Sequence, residues 1–221
     1  MEPVTFSTDD GVWIEGELRS PEGDPAGTAV LCHPHPRLGG SKDHPLLWAI
    51  RNDLAATRDL TVVSFNFRGT MGSAGTYGGG RDELWDVRAA IGFAHAQVPD
   101  ELPTVVVGWS FGASVALREA LDDRRVAAVA MIGMPLHPKD LSLPPLPEPA
   151  DLRTFRRPAM LLAGEHDAFC PPDDLRAFAG GFPDVEVVVV PGTDHYFWRR
   201  EREAADVIGR FAERAVSRER G

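Results

Sequence analysis

A Gly-Trp-Ser-Phe-Gly pentapeptide occupies residues 108–112, near the middle of the 221-residue chain. Three valines precede it, and small apolar residues recur at helical spacing after it. This order predicts a strand, a sharp turn that the two glycines permit, and a helix, with the serine hydroxyl exposed at the turn. We therefore predict that Ser110 is a nucleophile. The alternative is a serine that caps the following helix.

A serine hydroxyl reacts poorly at neutral pH unless an imidazole accepts its proton and a carboxylate orients that imidazole. His195 follows the last strand-like apolar run of the chain, and Asp167 follows the run before it. Side chains at the carboxyl ends of parallel strands gather at one edge of the sheet. We therefore predict that His195 is the base and Asp167 its acidic partner. Asp194 and Glu165 are alternative acids, and a surface-loop imidazole is the alternative for His195.

Attack by a serine on an acyl carbon also needs two N–H donors for the developing oxyanion. Phe111, the residue after the serine, is predicted to supply one. The other comes from the loop after the third strand, which reads His-Pro-His-Pro at residues 33–36. Because proline has no N–H group, we expect His35 to donate through its backbone. The alternative is a loop residue that two prolines merely restrain.

Two stretches raise the question of a cofactor. Residues 68–80 contain six glycines but lack the Gly-Lys-Ser/Thr ending of a phosphate-binding loop, so a shaped turn beside the site is favoured. His33 and His35, with Asp43 and His44 nearby, lack the compact spacing of a metal-ligand cluster. We expect neither a metal ion nor an organic cofactor.

Arg68 begins the glycine-rich stretch, directly after a strand-like run. One interpretation is a bidentate contact with a substrate carboxylate. An arginine after a buried strand more often binds loop carbonyls and nearby acidic side chains, here Asp82 or Asp86. We favour the structural role.

The elements that must position these residues alternate between strand and helix patterns. Residues 4–6 and 12–18 predict an N-terminal antiparallel hairpin around an Asp-Asp-Gly turn. Six later apolar runs predict strands that are buried on both faces, at residues 29–32, 61–67, 104–108, 126–132, 159–162 and 185–190. Helical periodicity marks residues 46–56, 84–94, the segment after Ser110, and 199–218. The sequence therefore predicts an α/β fold, with a mostly parallel eight-stranded sheet and helices on both faces.

Length and composition predict one soluble domain spanning residues 1–221. A short proline-rich insertion at about 135–157 cannot form a long helix, so we expect a minimal cap or none. No apolar run approaches the roughly 20 residues of a membrane span, and no secretory signal is recognisable, which favours the cytoplasm. A net charge of −10 disfavours nucleic acid. Cys32 and Cys170 are expected to be free thiols.

The chain resembles the α/β-hydrolase superfamily, and within it the small bacterial hydrolases near dienelactone hydrolases and serine esterases or peptidases. The resemblance covers nearly the whole length, and its motifs lie at residues 32–36, 66–69, 108–112, 164–167 and 192–195. It implies the order nucleophile, acid, base, and acyl transfer to water through a covalent acyl-enzyme. Dienelactone hydrolases carry cysteine where this chain has serine, so the resemblance favours a carboxylesterase.

Other interpretations use the same residues. A thioesterase or a peptidase would employ the same three side chains, and a non-catalytic protein of this fold would bind a small acyl ligand or a partner. A small-molecule acyl compound is the expected substrate, and a homodimer stays open. The sequence assigns no role to His33, His44, His95, His137 or His166.

Overall fold

Eight strands form a single sheet in the computed structural model, which describes residues 1–141 and 143–219. The strands are β1 (Glu2–Ser7), β2 (Trp13–Arg19), β3 (Gly27–Cys32), β4 (Leu60–Phe65), β5 (Thr104–Trp109), β6 (Val126–Ile132), β7 (Ala159–Gly164) and β8 (Val185–Val190). Their order is β1-β2-β4-β3-β5-β6-β7-β8, with β1 and β2 antiparallel and the pairs from β3 to β8 parallel. The predicted sheet and its N-terminal hairpin are confirmed.

Helices cover both faces of the sheet. They are α1 (Pro45–Thr57), α2 (Glu83–His95), α3 (Phe111–Asp122), α4 (Pro149–Leu152), α5 (Pro172–Ala179) and α6 (Glu201–Glu219). Helices α1 and α6 pack on one face, whereas α2, α3 and α5 pack on the other. Side chains alternate across a strand, so Val105 and Val107 of β5 lie on the face of α1 and α6, while Val106 lies on the opposite face. Both faces of the central strands are therefore buried, as their continuous apolar sequences predict.

The carboxyl ends of the parallel strands are left largely open. The proline-rich connection between β6 and β7 contains, in its described part, only the 3₁₀ turn Pro138–Leu141 and the four-residue α4. Interior prolines prevent a longer helix there, which agrees with the predicted minimal cap. None of the described helices is long and apolar enough to cross a bilayer.

Helix α5 is an element that the sequence patterns did not predict. The two prolines at 171 and 172, of which the second begins the helix, and the two aspartates that follow suggest a turn. Proline is compatible with the first helical turn, however, because N–H groups there have no intrahelical acceptor. Asp173 and Asp174 lie in that first turn, where negative charge is favourable. The helix is eight residues long and buries Leu175 and Ala179.

Candidate active site

Ser110 lies in the turn between β5 and α3, at φ 56° and ψ −119°. A non-glycine residue rarely adopts this backbone conformation. The close packing at Gly108 and Gly112, two residues to either side, holds the turn in place. A Cβ at Gly112 would collide with the Cys32 carbonyl, and one at Gly108 would collide with the start of α3. The serine side chain makes no capping hydrogen bond to its helix. The turn therefore directs the hydroxyl away from the helix backbone, contrary to the capping alternative.

Two further side chains, each from the loop after a different strand, continue a series of hydrogen bonds that starts at this hydroxyl. His195 Nε2 lies 3.0 Å from Ser110 Oγ, and His195 Nδ1 lies 2.9 Å from Asp167 Oδ2. All three side chains are largely buried. The carboxylate favours a proton on Nδ1, which leaves Nε2 as the acceptor for the serine hydroxyl. The structure thus brings together the three side chains that the sequence singled out.

Asp167 is itself fixed by the backbone of its own loop. Its Oδ1 accepts hydrogen bonds from the N–H groups of Phe169 and Cys170, at 2.9 and 3.0 Å. The two alternative acids point elsewhere. Asp194 Oδ1 accepts from the Tyr196 N–H, and Glu165 Oε2 accepts from the Gly192 N–H. Asp167 is therefore the carboxylate that contacts the imidazole.

Gly133, directly after β6, lies beneath the contact between His195 and Asp167. A Cβ at this position would be 2.9 Å from Asp167 Oδ2 and 3.0 Å from His195 Nδ1, and the residue has a φ of +51°. Both the space and the backbone conformation require glycine. Sequence reasoning missed this residue, because the only signal was a glycine directly after a strand.

The N–H groups of Phe111 and His35 donate no hydrogen bond to any described part of the chain. Phe111 begins α3, where backbone N–H groups have no intrahelical acceptor. The chain around His35 turns into the 3₁₀ turn Pro36–Leu38, and Gly40 packs so closely against Pro34 that a Cβ there would overlap its carbonyl. Both predicted donors therefore have no hydrogen-bond acceptor among the described residues.

The imidazole of His35 is used inside the same loop. Its Nδ1 accepts the Arg37 N–H at 3.2 Å, and its Nε2 lies 3.1 Å from the Tyr77 hydroxyl. Burial and the nearby Arg37 lower the pKa of His35, which favours the neutral ring that this acceptor role needs. The side chain of His35 thus stabilises the loop.

His33 connects this loop to the neighbouring strand end. Its Nδ1 lies 2.6 Å from the Pro34 carbonyl, and its Nε2 accepts the Phe67 N–H at 2.9 Å. Both contacts need a neutral ring protonated on Nδ1. Burial lowers the pKa of His33 to about 4. The nitrogens of His33 and His35 therefore already have partners, and the described residues contain no group of three side chains suited to a metal.

The glycine-rich stretch after β4 is held by acidic residues of α2. Arg68 binds Asp86 through Nε at 2.8 Å, and it binds Asp10 of the hairpin turn through both terminal nitrogens. Asp86, not Asp82, is the helical partner. Glu83 accepts the N–H groups of residues 78 and 80 at 2.7 Å each. Arg68 therefore has the structural role that the sequence favoured.

A cleft opens over Ser110, and the space in it that no atom fills is about 510 Å³, open solvent included. Its lining combines the reactive side chains with apolar and aromatic groups. They are Pro34, His35, Leu38, Gly39, Gly40, His44, Trp109, Ser110, Leu141, Phe169, His195 and Tyr196. No carboxylate, lysine or arginine is among these described residues.

His44, to which the sequence assigns no role, lies in the cleft. Its Nδ1 accepts the Leu46 N–H at the start of α1, and its ring packs 4.3 Å from that of Trp109. No local motif marks it, because its place depends on how α1 packs beside β5. The other unassigned histidines contact acidic side chains outside the cleft: His95 with Asp100, His137 with Asp174 and His166 with Glu165.

Residues 28–218 match the profile of a family described as an alpha/beta hydrolase domain. The chain belongs to this family. A relative from Rickettsia prowazekii, the uncharacterized protein RP471, is 25% identical to this chain. The match covers 96% of this chain and 88% of RP471. Two solved structures are similar over nearly their full lengths, each at 25% identity.

The first is an alpha-beta serine hydrolase homologue from Coxiella burnetii, which matches with a TM-score of 0.82 over 95% of this chain and 96% of its own. The second is XC6422 from Xanthomonas campestris, a serine hydrolase without a lid. It matches with a TM-score of 0.79 over 96% of this chain and 93% of its own. The described chain likewise has no lid domain between β6 and β7.

Proposed function

We propose that the hydrolase cleaves carboxylic esters through Ser110, His195 and Asp167. The supporting observation is the continuous set of hydrogen bonds from the serine Oγ through both imidazole nitrogens to a buried carboxylate. The strained turn at Ser110 and the two unpaired N–H groups beside it are what such chemistry requires.

In the first step, His195 Nε2 takes the hydroxyl proton while Ser110 Oγ attacks the ester carbonyl carbon. The carbonyl oxygen becomes an oxyanion that accepts hydrogen bonds from the N–H groups of Phe111 and His35. Asp167 stabilises the imidazolium that has formed. The tetrahedral intermediate then collapses, the ester C–O bond breaks, and His195 returns its proton to the departing alcohol.

In the second step, water enters the position that the alcohol has left. His195 removes a proton from it as the oxygen attacks the acyl-enzyme, and the same N–H groups stabilise the second oxyanion. Collapse releases a carboxylic acid, and His195 returns the proton to Ser110 Oγ. No step draws on a metal ion or an organic cofactor.

Ser110→Ala tests the proposal, and Ser114→Ala is a matched control. Ser114 lies one turn further along α3, and its buried hydroxyl has no partner in the described chain. Both proteins and the wild type are assayed on a panel of esters, thioesters and aminoacyl amides. We expect Ser110→Ala to lose about 10⁴-fold or more of kcat/KM on esters, whereas Ser114→Ala stays within a few-fold.

A fluorophosphonate probe adds a direct readout, since it should label the wild type at Ser110 and leave Ser110→Ala unlabelled. Ester hydrolysis that survives in Ser110→Ala overturns the proposal. A preference for thioesters or aminoacyl amides in the wild type would keep the mechanism and replace the substrate class. Binding of acyl compounds without labelling or turnover would indicate a ligand-binding protein.

A further inference from the structure

His44, Phe169 and Tyr196 line the cleft, and Trp198 packs against two of them; we call these four aromatic side chains the aromatic rim. Phe169, Tyr196 and Trp198 are 37, 46 and 56% exposed. Single exposed apolar side chains are common on protein surfaces. A contiguous exposed group beside a reactive centre is different, because such patches mark binding sites.

The rim is continuous with the reactive imidazole. The ring centroid of Phe169 lies 4.8 Å from that of His195, and the ring centroid of Tyr196 lies 5.6 Å from that of His195. Tyr196 and Trp198 stack at 6.2 Å with 23° between their planes. Trp198 then lies 5.7 Å from His44. A planar group that reaches out of the cleft would meet aromatic faces and edges, which favour offset or edge-to-face packing.

The backbone that presents these rings is strained. Phe197 and Arg199 have positive φ values of 55° and 64°, although neither is glycine. Phe197 is fully buried between Tyr196 and Trp198, so the side chains alternate between the core and solvent. His195 is held by its hydrogen bonds to Asp167, so the exposed rings of Tyr196 and Trp198 are not needed to position it. Strain of this kind persists at functional sites where a fixed arrangement of side chains is needed.

The charges around the cleft restrict what the rim can bind. No acidic side chain, lysine or arginine is among the described residues that line the cleft. Arg68, the cation that the sequence offered for a substrate carboxylate, is bound by Asp10 and Asp86. His44 accepts a backbone hydrogen bond through Nδ1, which requires that nitrogen to be unprotonated. A carboxylate or phosphate on the substrate would therefore lose hydration without gaining a cationic partner among these lining residues.

We propose that the aromatic rim binds an uncharged aromatic group of the ester, which makes aryl-bearing neutral esters the substrate class. This inference rests on the proposed ester hydrolysis. The ring could belong to the acyl half or to the alcohol half, and both would meet the same surface. Aromatic packing beyond simple area burial corresponds to a preference of about 3- to 10-fold over a saturated ring of similar size.

Two pairs of esters test the proposal, one for each half of the substrate. Methyl dihydrocinnamate against methyl cyclohexylpropanoate varies the acyl half, and phenethyl acetate against cyclohexylethyl acetate varies the alcohol half. In both pairs the ring is remote from the carbonyl, so intrinsic reactivity is matched. We expect the wild type to prefer the phenyl member of at least one pair by about 3- to 10-fold in kcat/KM.

The same ratios are then measured in Tyr196→Leu, Trp198→Leu and Tyr196→Phe. The two leucine variants should reduce the phenyl preference toward unity, whereas Tyr196→Phe should retain it because the ring remains. Trp85→Leu is the control, since Trp85 is an exposed aromatic residue of α2 that does not line the cleft. Thermal unfolding of each variant shows whether it is folded under the assay conditions.

A wild type that hydrolyses all four esters in a Ser110-dependent way without a phenyl preference overturns the rim proposal and leaves the proposed function intact. A preference that survives in both leucine variants overturns it as well, because another surface would then bind the ring. Failure to hydrolyse any ester in a Ser110-dependent way overturns the proposed function, and the rim proposal with it.

Discussion

The two loops that meet at Ser110 hold their residues by different means. Residues 33–40, the proline loop, are fixed through the main chain: His33 joins the Pro34 carbonyl to the Phe67 N–H, and Gly40 packs against the Pro34 backbone. Residues 192–199, the base loop, rely more on side chains, with His195 bound to Asp167 and Phe197 buried in the core, although the His166 N–H also donates to the Thr193 carbonyl.

The difference follows from what each loop contributes in the proposed mechanism. The proline loop offers a backbone N–H, so its neighbours are residues that restrict a backbone, namely prolines, glycines and a buried neutral histidine. The base loop offers an imidazole, so its neighbours are groups that orient a ring. The Asp167 carboxylate binds the ring, and Gly133 leaves the space that the ring needs. Substitutions in the base loop's contacts should therefore affect chemistry first, and substitutions in the proline loop should affect stability first.

Asp167→Asn should produce the largest effect. The asparagine oxygen would accept the Phe169 and Cys170 N–H bonds, which turns its NH₂ group toward His195 Nδ1 and favours the wrong imidazole tautomer. We expect kcat on a neutral ester to fall by about 10⁴-fold with little change in unfolding temperature. Asp194→Asn is the matched control and should stay within a few-fold. Equal losses in the two variants would mean that Asp167 is not the acidic partner.

Sequence patterns located Ser110, Asp167 and His195 because each follows a strand-like run, and parallel strands place such residues at one edge of the sheet. Phe111 and His35 are predicted as donors from their positions, next to that serine and between two prolines, and their role remains part of the proposal. Gly133 and His44 could not be found in this way. Their roles arise from contacts between segments far apart in sequence, and no local spacing encodes those contacts.

Gly133→Ala should have the second largest effect. The added methyl would lie 2.9 Å from Asp167 Oδ2 and 3.0 Å from His195 Nδ1, so one of these groups must move. Displacement of a reacting group by about 1 Å costs roughly 10²-fold in rate, and we expect kcat to fall by that order. Stopped-flow or steady-state assays of ester hydrolysis measure it.

Gly11→Ala separates the steric effect from backbone strain. Gly11 also has a positive φ, 82°, but nothing lies within 4 Å of the position of a Cβ. This variant should lose about 1 kcal/mol of unfolding free energy, the usual penalty for a left-handed alanine, with kcat unchanged. A similar kcat in Gly133→Ala and Gly11→Ala would show that the space beneath the imidazole does not matter.

His33→Gln should change the pH dependence of stability more than the chemistry. The folded protein keeps His33 neutral down to its pKa of about 4, whereas the unfolded chain takes up that proton near the ordinary value of 6.5. The contribution of His33 to the free energy of unfolding is therefore complete above about pH 6.5 and declines as the pH falls toward 4. Its full size is about 3 kcal/mol.

Urea unfolding of the wild type and His33→Gln, at intervals between pH 4 and pH 7, measures this contribution. The wild type should lose more stability over the range than the variant, because the other titrating groups are common to both. The turnover rate at neutral pH should fall by no more than about 10-fold, provided that glutamine restores part of the hydrogen bonding of the loop. Parallel pH curves for the two proteins would contradict the assigned role of His33.

Among the variants of the site, Trp109→Phe should have the smallest effect on turnover, and it tests how far the base loop depends on its main chain. The Trp109 Nε1–H donates to the His195 carbonyl at 3.2 Å, and this bond attaches the main chain of the base loop to the end of β5. Removing it leaves a buried carbonyl unpaired, and we expect a loss of about 1 to 2 kcal/mol in urea unfolding, with turnover within a few-fold of the wild type. Trp85→Phe, an exposed site, controls for loss of the indole. If turnover instead fell by about two orders of magnitude without a matching loss of stability, the base loop would depend on its main chain as much as the proline loop does.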